Sequence, residues 1–138
     1  MTNQSKTYKP VQKLEWKSSF SVGYRAMDKQ HQILFDVINS LVDVQTQPLS
    51  EPDLRRVLQE LQTYAEAHFN AEEKLMELMD YPNLAEHRSE HIFYLKQIAE
   101  METRIGTSDE RIDLELLQFL NHWWLTHVQE VDQGYARH

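Results

Sequence analysis

From about Tyr24 onward the apolar residues recur every three or four positions, the repeat of helices that each bury one face. The first stripe, over about Tyr24 to Gln45, runs through Met27, Leu34, Phe35, Ile38, Leu41 and Val42, with His31 on it near the helix start. A turn over Gln47-Pro48-Leu49-Ser50-Glu51-Pro52 launches the next helix, with Ser50 placed as its N-cap and Glu51, Pro52 and Asp53 suited to its first turn. A second stripe runs through Leu54, Val57, Leu58, Leu61, Ala65, His68, Glu72, Leu75, Met76 and Met79. Asp80-Tyr81-Pro82-Asn83 reads as a helix stop and a new start. The third helix carries Leu84, His87, His91, Tyr94, Leu95, Ile98, Met101 and Ile105 before Gly106 ends it. A fourth, starting around Ser108 or Asp109, buries Ile112, Leu116, Phe119, Leu120, Trp123 and His127. The expectation is an all-α protein, an up-down-up-down antiparallel four-helix bundle over residues 23–138. Residues 1–22 lack the helical period and form an N-terminal arm pinned by Trp16 and Phe20.

This topology brings distant polar residues together. His31 lies near the start of helix one, His68 and Glu72 near the end of two, His87 and His91 near the start of three, and His127 near the end of four, which in this topology is one end of the bundle. The members of each pair, His68 with Glu72 and His87 with His91, are four apart and share a helix face. One histidine on an apolar face is ordinarily a hydrogen-bonded core residue, but five in one layer are not. A carboxylate among Ala65, Leu75 and Met76 is costly unless paired or metal-bound, and no Lys or Arg shares those faces. Two divalent ions turn these stranded groups into ligands.

Composition narrows the choice of metal and partner. With no cysteine in 138 residues, a metal here is held by nitrogen and oxygen alone. Five imidazoles exceed what one tetrahedral zinc takes, so a pair of irons fits better, with manganese behind it. No Glu has a His three residues later, so the site is not the carboxylate-rich di-iron type of other bundles. A net charge of -8 speaks against nucleic acid and anionic membranes. No leader pattern and no long apolar run occur, which gives the expectation of a soluble, cytoplasmic protein without membrane insertion.

A bridge between two metals calls for a second carboxylate. Asp132 lies five residues past His127, and an unbroken helix turns it roughly 140° away. It reaches the site only if the helix is overwound, bulged or ending there; otherwise it is a solvated aspartate.

Trp16, Val22-Gly23, Met27-Asp28-Lys29-Gln30-His31, His68-Phe69 with Glu72-Glu73 and Leu75-Met76, Tyr81-Pro82, His87 with His91, and Trp123, His127 and Asp132 together resemble the bacterial hemerythrins. The resemblance covers about Trp16 to Tyr135. It implies a four-helix bundle with a non-haem di-iron centre that binds dioxygen. It further implies that His87, His91 and His127 bind one iron and His31 and His68 the other, with Glu72, Asp132 and an oxo/hydroxo group bridging the two iron ions. One coordination position is then left for dioxygen, in an apolar pocket.

Two residues depart from the family pattern. Trp124 stands where Leu is common, and Gln129 stands two past His127, where an apolar side chain usually faces the pocket. Gln129 either turns to solvent or donates a hydrogen bond to bound dioxygen. His122 and His138 are set aside as non-ligands, Glu73 is expected to face solvent, and Met27, Met76, Met79 and Met101 sit at core spacing. The expected function is reversible dioxygen binding for carriage, storage or delivery to an oxygen-consuming enzyme, by a monomer that is not itself an enzyme. The alternatives are a di-iron oxidase, peroxidase or ferroxidase, and a sensor of oxygen or nitric oxide.

Overall fold

The computed structural model describes residues 8–107 and 109–138. Four principal helices, α1 (Arg25–Ser40), α2 (Glu51–Leu78), α3 (Leu84–Arg104) and α4 (Ile112–Thr126), are followed by a π-helical turn (His127–Val131) and a last short helix, α5 (Asp132–Ala136). The described residues contain no strand. The buried faces meet in a core that includes Leu34, Ile38, Leu58, Leu61, Ile98, Leu116, Leu117 and Leu120.

Local chemistry sets the helix ends. Ser50 accepts the Asp53 backbone N–H at 3.2 Å, and Pro52 sits in the first turn of α2. At the other end of α2, Tyr81 N–H donates to Met76 O at 3.0 Å and Asp80 N–H to Glu77 O at 3.1 Å. This is the Schellman pattern, with Asp80 in the left-handed region at φ 53° where glycine is usual. Tyr81 and Met76 supply its apolar contact. The first helix is shorter than its apolar stripe: α1 stops at Ser40, and a 3-10 turn over Val42–Gln45 carries Val42 and Val44 onto the core. The fourth helix begins at Ile112, so Asp109 stays in the connection, and Ser108 lies outside the described residues. A buried carboxylate organises that connection. Asp113 accepts from Leu49 N–H at 3.1 Å and Arg111 Nε at 2.9 Å, while Arg111 Nη2 donates to Val44 O at 2.8 Å.

The segment before α1 is extended and is held by side-chain amides in place of a strand. Asn39 bonds both backbone groups of Leu14, at 2.7 and 2.9 Å, and Gln45 does the same for Val11 at the same distances. Trp16, Phe20 and Phe35 form an edge-to-face trio with centroids 5.7 to 5.8 Å apart. Asp28 then accepts from Val22 N–H at 2.8 Å and Ser21 Oγ at 2.5 Å, fixing the entry into α1 just ahead of His31.

Candidate metal centre

The start of α1, the end of α2, the start of α3 and the end of α4 meet at one end of the bundle. There His31, His68, Glu72, His87, His91, His127 and Asp132 are all buried. Each carboxylate divides its oxygens between two groups of imidazoles. Glu72 Oε1 lies 3.1, 3.0 and 3.8 Å from the Nε2 atoms of His87, His91 and His127, and its Oε2 lies 3.3 and 3.7 Å from those of His31 and His68. Asp132 Oδ1 is 2.9 and 3.0 Å from His87 and His127 Nε2, and its Oδ2 is 3.1 Å from His31 Nε2. Two subsets thus form, one of three imidazoles and one of two, with Glu72 common to both.

The π turn is what brings Asp132 in. Asp132 N–H donates to His127 O, an i to i+5 bond that returns residues five apart to nearly the same side. Of the three routes left open by the spacing, the helix bulges; it is neither overwound nor ended. The bulge also reorients the residues just past His127: Val128 is buried and Gln129 is exposed, so Gln129 has no place over the site. Trp124 is fully buried with its ring 5.8 Å from that of His68.

Hydrogen bonds leave several of these buried atoms without a partner. His91 Nδ1–H donates to Glu73 Oε2 at 2.7 Å, so in the neutral ring the Nε2 lone pair faces Glu72 Oε1 at 3.0 Å. Such a contact is relieved by a cation between the two atoms, either a proton on Nε2 or a metal ion bound by both. His68 Nδ1–H likewise donates to Gln30 Oε1 at 2.5 Å, leaving its Nε2 buried with no hydrogen-bond partner. Both oxygens of Asp132 are in the same condition: close to imidazole nitrogens, but without the angles a hydrogen bond needs. Donor atoms about 3 Å apart suit adjacent ligands on a metal held at about 2.1 Å. The residues present therefore fit a pair of divalent cations.

The electrostatics agree. Burial disfavours the charged imidazoles of His31 and His127, but the Asp132 and Glu72 carboxylates outweigh it and raise them from 6.5 to about 9 and about 10. Burial prevails at His68, which falls to about 4 and stays neutral. Burial works against ionised Glu72 and Asp132 too, yet the surrounding imidazoles hold both below the usual carboxylate range. The centre is a buried anionic point that concentrates positive charge.

Three supporting residues were not read from the sequence as site residues. Glu73, expected to face solvent, instead turns between α2 and α3, where it accepts from His91 Nδ1 and, at 2.9 Å, from Arg88 Nε. Gln30 orients His68, and Tyr135 donates its hydroxyl to Glu72 Oε2 at 2.8 Å. A signal existed: a ligating imidazole needs an acceptor for its second N–H, and Gln30 and Glu73 stand next in sequence to His31 and Glu72. Rings fix the remaining orientations. Phe69 stacks on His91 at 3.8 Å, and Trp123 on His127 at 4.4 Å. His122 and His138 are exposed and lie outside the cluster.

A four-helix bundle with a buried layer of five imidazoles and two carboxylates belongs among the metal-binding bundles. The model of the Hemerythrin HHE cation binding domain matches residues 22–138, and the chain belongs to the hemerythrin family, whose members are non-haem iron, oxygen-binding proteins. It is 32% identical over 123 residues to a bacteriohemerythrin of Stenotrophomonas maltophilia, covering 89% of this chain and 79% of that protein. A bacteriohemerythrin of Clostridium acetobutylicum is 27% identical, with 87% and 96% covered. A crystal structure of a hemerythrin point mutant superposes with a TM-score of 0.79 at 24% identity, covering 90% of this chain and 95% of that one. Among the described residues, no helix is long and apolar enough to cross a membrane.

Proposed function

We propose that this protein binds dioxygen reversibly at a di-iron centre. His87, His91 and His127 would hold one iron and His31 and His68 the other, with Glu72 and Asp132 shared between the two. The observation that carries the reading is a carboxylate, Glu72, with one oxygen 3.0 Å from His91 Nε2 and the other turned to His31 and His68, in a cluster where His68 Nε2 and both Asp132 oxygens are buried without a hydrogen-bond partner. Bound there, a ferrous pair would supply the electrons that reversible dioxygen binding needs. The chain's own residues decide whether that exchange stays reversible.

Their contributions are arrangement and dryness. The two-histidine side has one protein donor fewer than the three-histidine side, so a metal held by His31 and His68 would keep one coordination position for a small ligand. Trp124 and Phe69 pack there against His68, at 5.8 Å each, and keep the surroundings apolar. With Gln129 on the outer surface, no amide intrudes from that position. Gln30 and Glu73 keep His68 and His91 in the tautomer that presents Nε2 inward, and the Tyr135 hydroxyl steadies Glu72.

The test is anaerobic reconstitution with ferrous iron, followed by admitting and then removing oxygen. A visible absorption band that appears and then disappears, with two irons per chain, is the expected result. A band that decays irreversibly with substrate oxidation points to an oxidase. His91→Ala should lower the iron content sharply, and zinc or a single iron in the wild-type chain overturns the site.

A further inference from the structure

Two surface depressions reach imidazoles of the cluster, and they differ in whether a cationic side chain is present. One, lined by Glu66, Phe69, Asn70, Glu73, Arg88 and other residues, touches His91. There the Arg88 guanidinium lies over the Glu73–His91 pair, and Glu73 pins the ring through Nδ1. The second, of about 430 Å³, is formed where α3 passes the π turn and touches His87. Glu86, Glu90 and Glu130 line it, with no Lys or Arg among its lining residues. All three carboxylates are exposed, and His87, at 2% exposure, forms the floor.

His87 is one ring thick between that depression and the centre. Its Nε2 lies 2.9 Å from Asp132 Oδ1 and 3.1 Å from Glu72 Oε1, while its Nδ1, on the outer side of the ring, is buried without a hydrogen-bond partner. Unlike His68 and His91, this imidazole has no acceptor on its Nδ1, so that nitrogen is free to take a ligand from the depression. Resting on the metal reading above, we propose that the Glu86, Glu90 and Glu130 depression is the portal through which ferrous iron enters, handed inward by His87 to Glu72 and Asp132. Three exposed carboxylates attract a hydrated divalent cation and hold it loosely through oxygen. An imidazole is a better donor for ferrous iron than a surface carboxylate, and the inner set of His87, His91, His127 and Glu72 offers more donors than either, so each transfer inward is to a stronger site.

The experiment tracks uptake of ferrous iron by the metal-free protein, anaerobically, as chelator-accessible iron remaining over time. The portal variant is Glu86→Gln with Glu90→Gln and Glu130→Gln. The control is Glu15→Gln with Asp36→Asn and Glu60→Gln, exposed carboxylates elsewhere. Each changes the net charge from -8 by +3 to -5, so overall charge is matched. The portal variant should load about tenfold more slowly than wild type and reach the same final iron content, while the control loads at close to the wild-type rate. Raising the ionic strength should slow the wild type toward the portal variant. Equal rates in all three proteins, or equal slowing in both variants, overturn the portal. A wild-type chain that retains no iron overturns the metal reading itself.

Discussion

Glu73 illustrates how a single side chain sets the state of its neighbour. By accepting the His91 Nδ1 proton at 2.7 Å while held by Arg88 Nε at 2.9 Å, it fixes which nitrogen of His91 faces inward and makes that nitrogen a better donor. Glu73→Ala should cost about 10- to 100-fold in iron affinity, measured by competition with a chelator, and Glu73→Gln, which keeps an acceptor, should recover most of it. An unchanged affinity in Glu73→Ala removes the orienting role. Sequence spacing missed this residue because it sits one step round the helix from Glu72, about 100° away, on what a lone helix presents to water. Only the passage of α3 beside α2 encloses it. By contrast Glu72 itself was legible, since a carboxylate inside an apolar stripe stands out on any helical reading.

At the scale of elements, the helices were legible from period alone and the ends less so. The α1 stripe continues past the end of its helix because a 3-10 turn keeps Val42 and Val44 on the core, a change of hydrogen-bonding pattern that side-chain periodicity does not register. Asp132 presents the same limit at the centre: whether residues five apart share a face depends on a backbone bond from Asp132 N–H to His127 O, invisible in residue types. The turn between α2 and α3 is clearer, since Asp80-Tyr81-Pro82 both stops one helix and starts the next. It matters because it sets His68 and Glu72 against His87 and His91. Asp80 holds a left-handed φ of 53° that a β-branched residue tolerates poorly. Asp80→Val should cost about 1 to 2 kcal/mol in urea unfolding and lower iron occupancy, whereas Asp80→Gly should keep full occupancy and gain up to about 1 kcal/mol. Equal stability of the two variants contradicts the cap.

Across the whole molecule the two ends of the bundle are held by different forces. The end away from the centre is packed with Leu54, Leu58, Ile105, Ile112 and Leu116 and is tied by Asp113 to Leu49 and Arg111. The opposite end buries two ionised carboxylates among five imidazoles, an arrangement costly to keep dry without a cation. Iron that binds the folded chain and not the unfolded one adds its binding free energy to stability. Removing it should therefore lower the Tm by roughly 10 °C, on the basis that about 3 kcal/mol shifts a domain of this size by that much. The loss should also be uneven. Amide hydrogen exchange should quicken at the start of α1, the last turns of α2, the first turns of α3 and the π turn. Protection of amides around Leu58, Ile98 and Leu116 should change little. Uniform acceleration throughout the chain would show that the metal layer and the apolar layer unfold as one unit, and that the far end has no independent hold on the bundle.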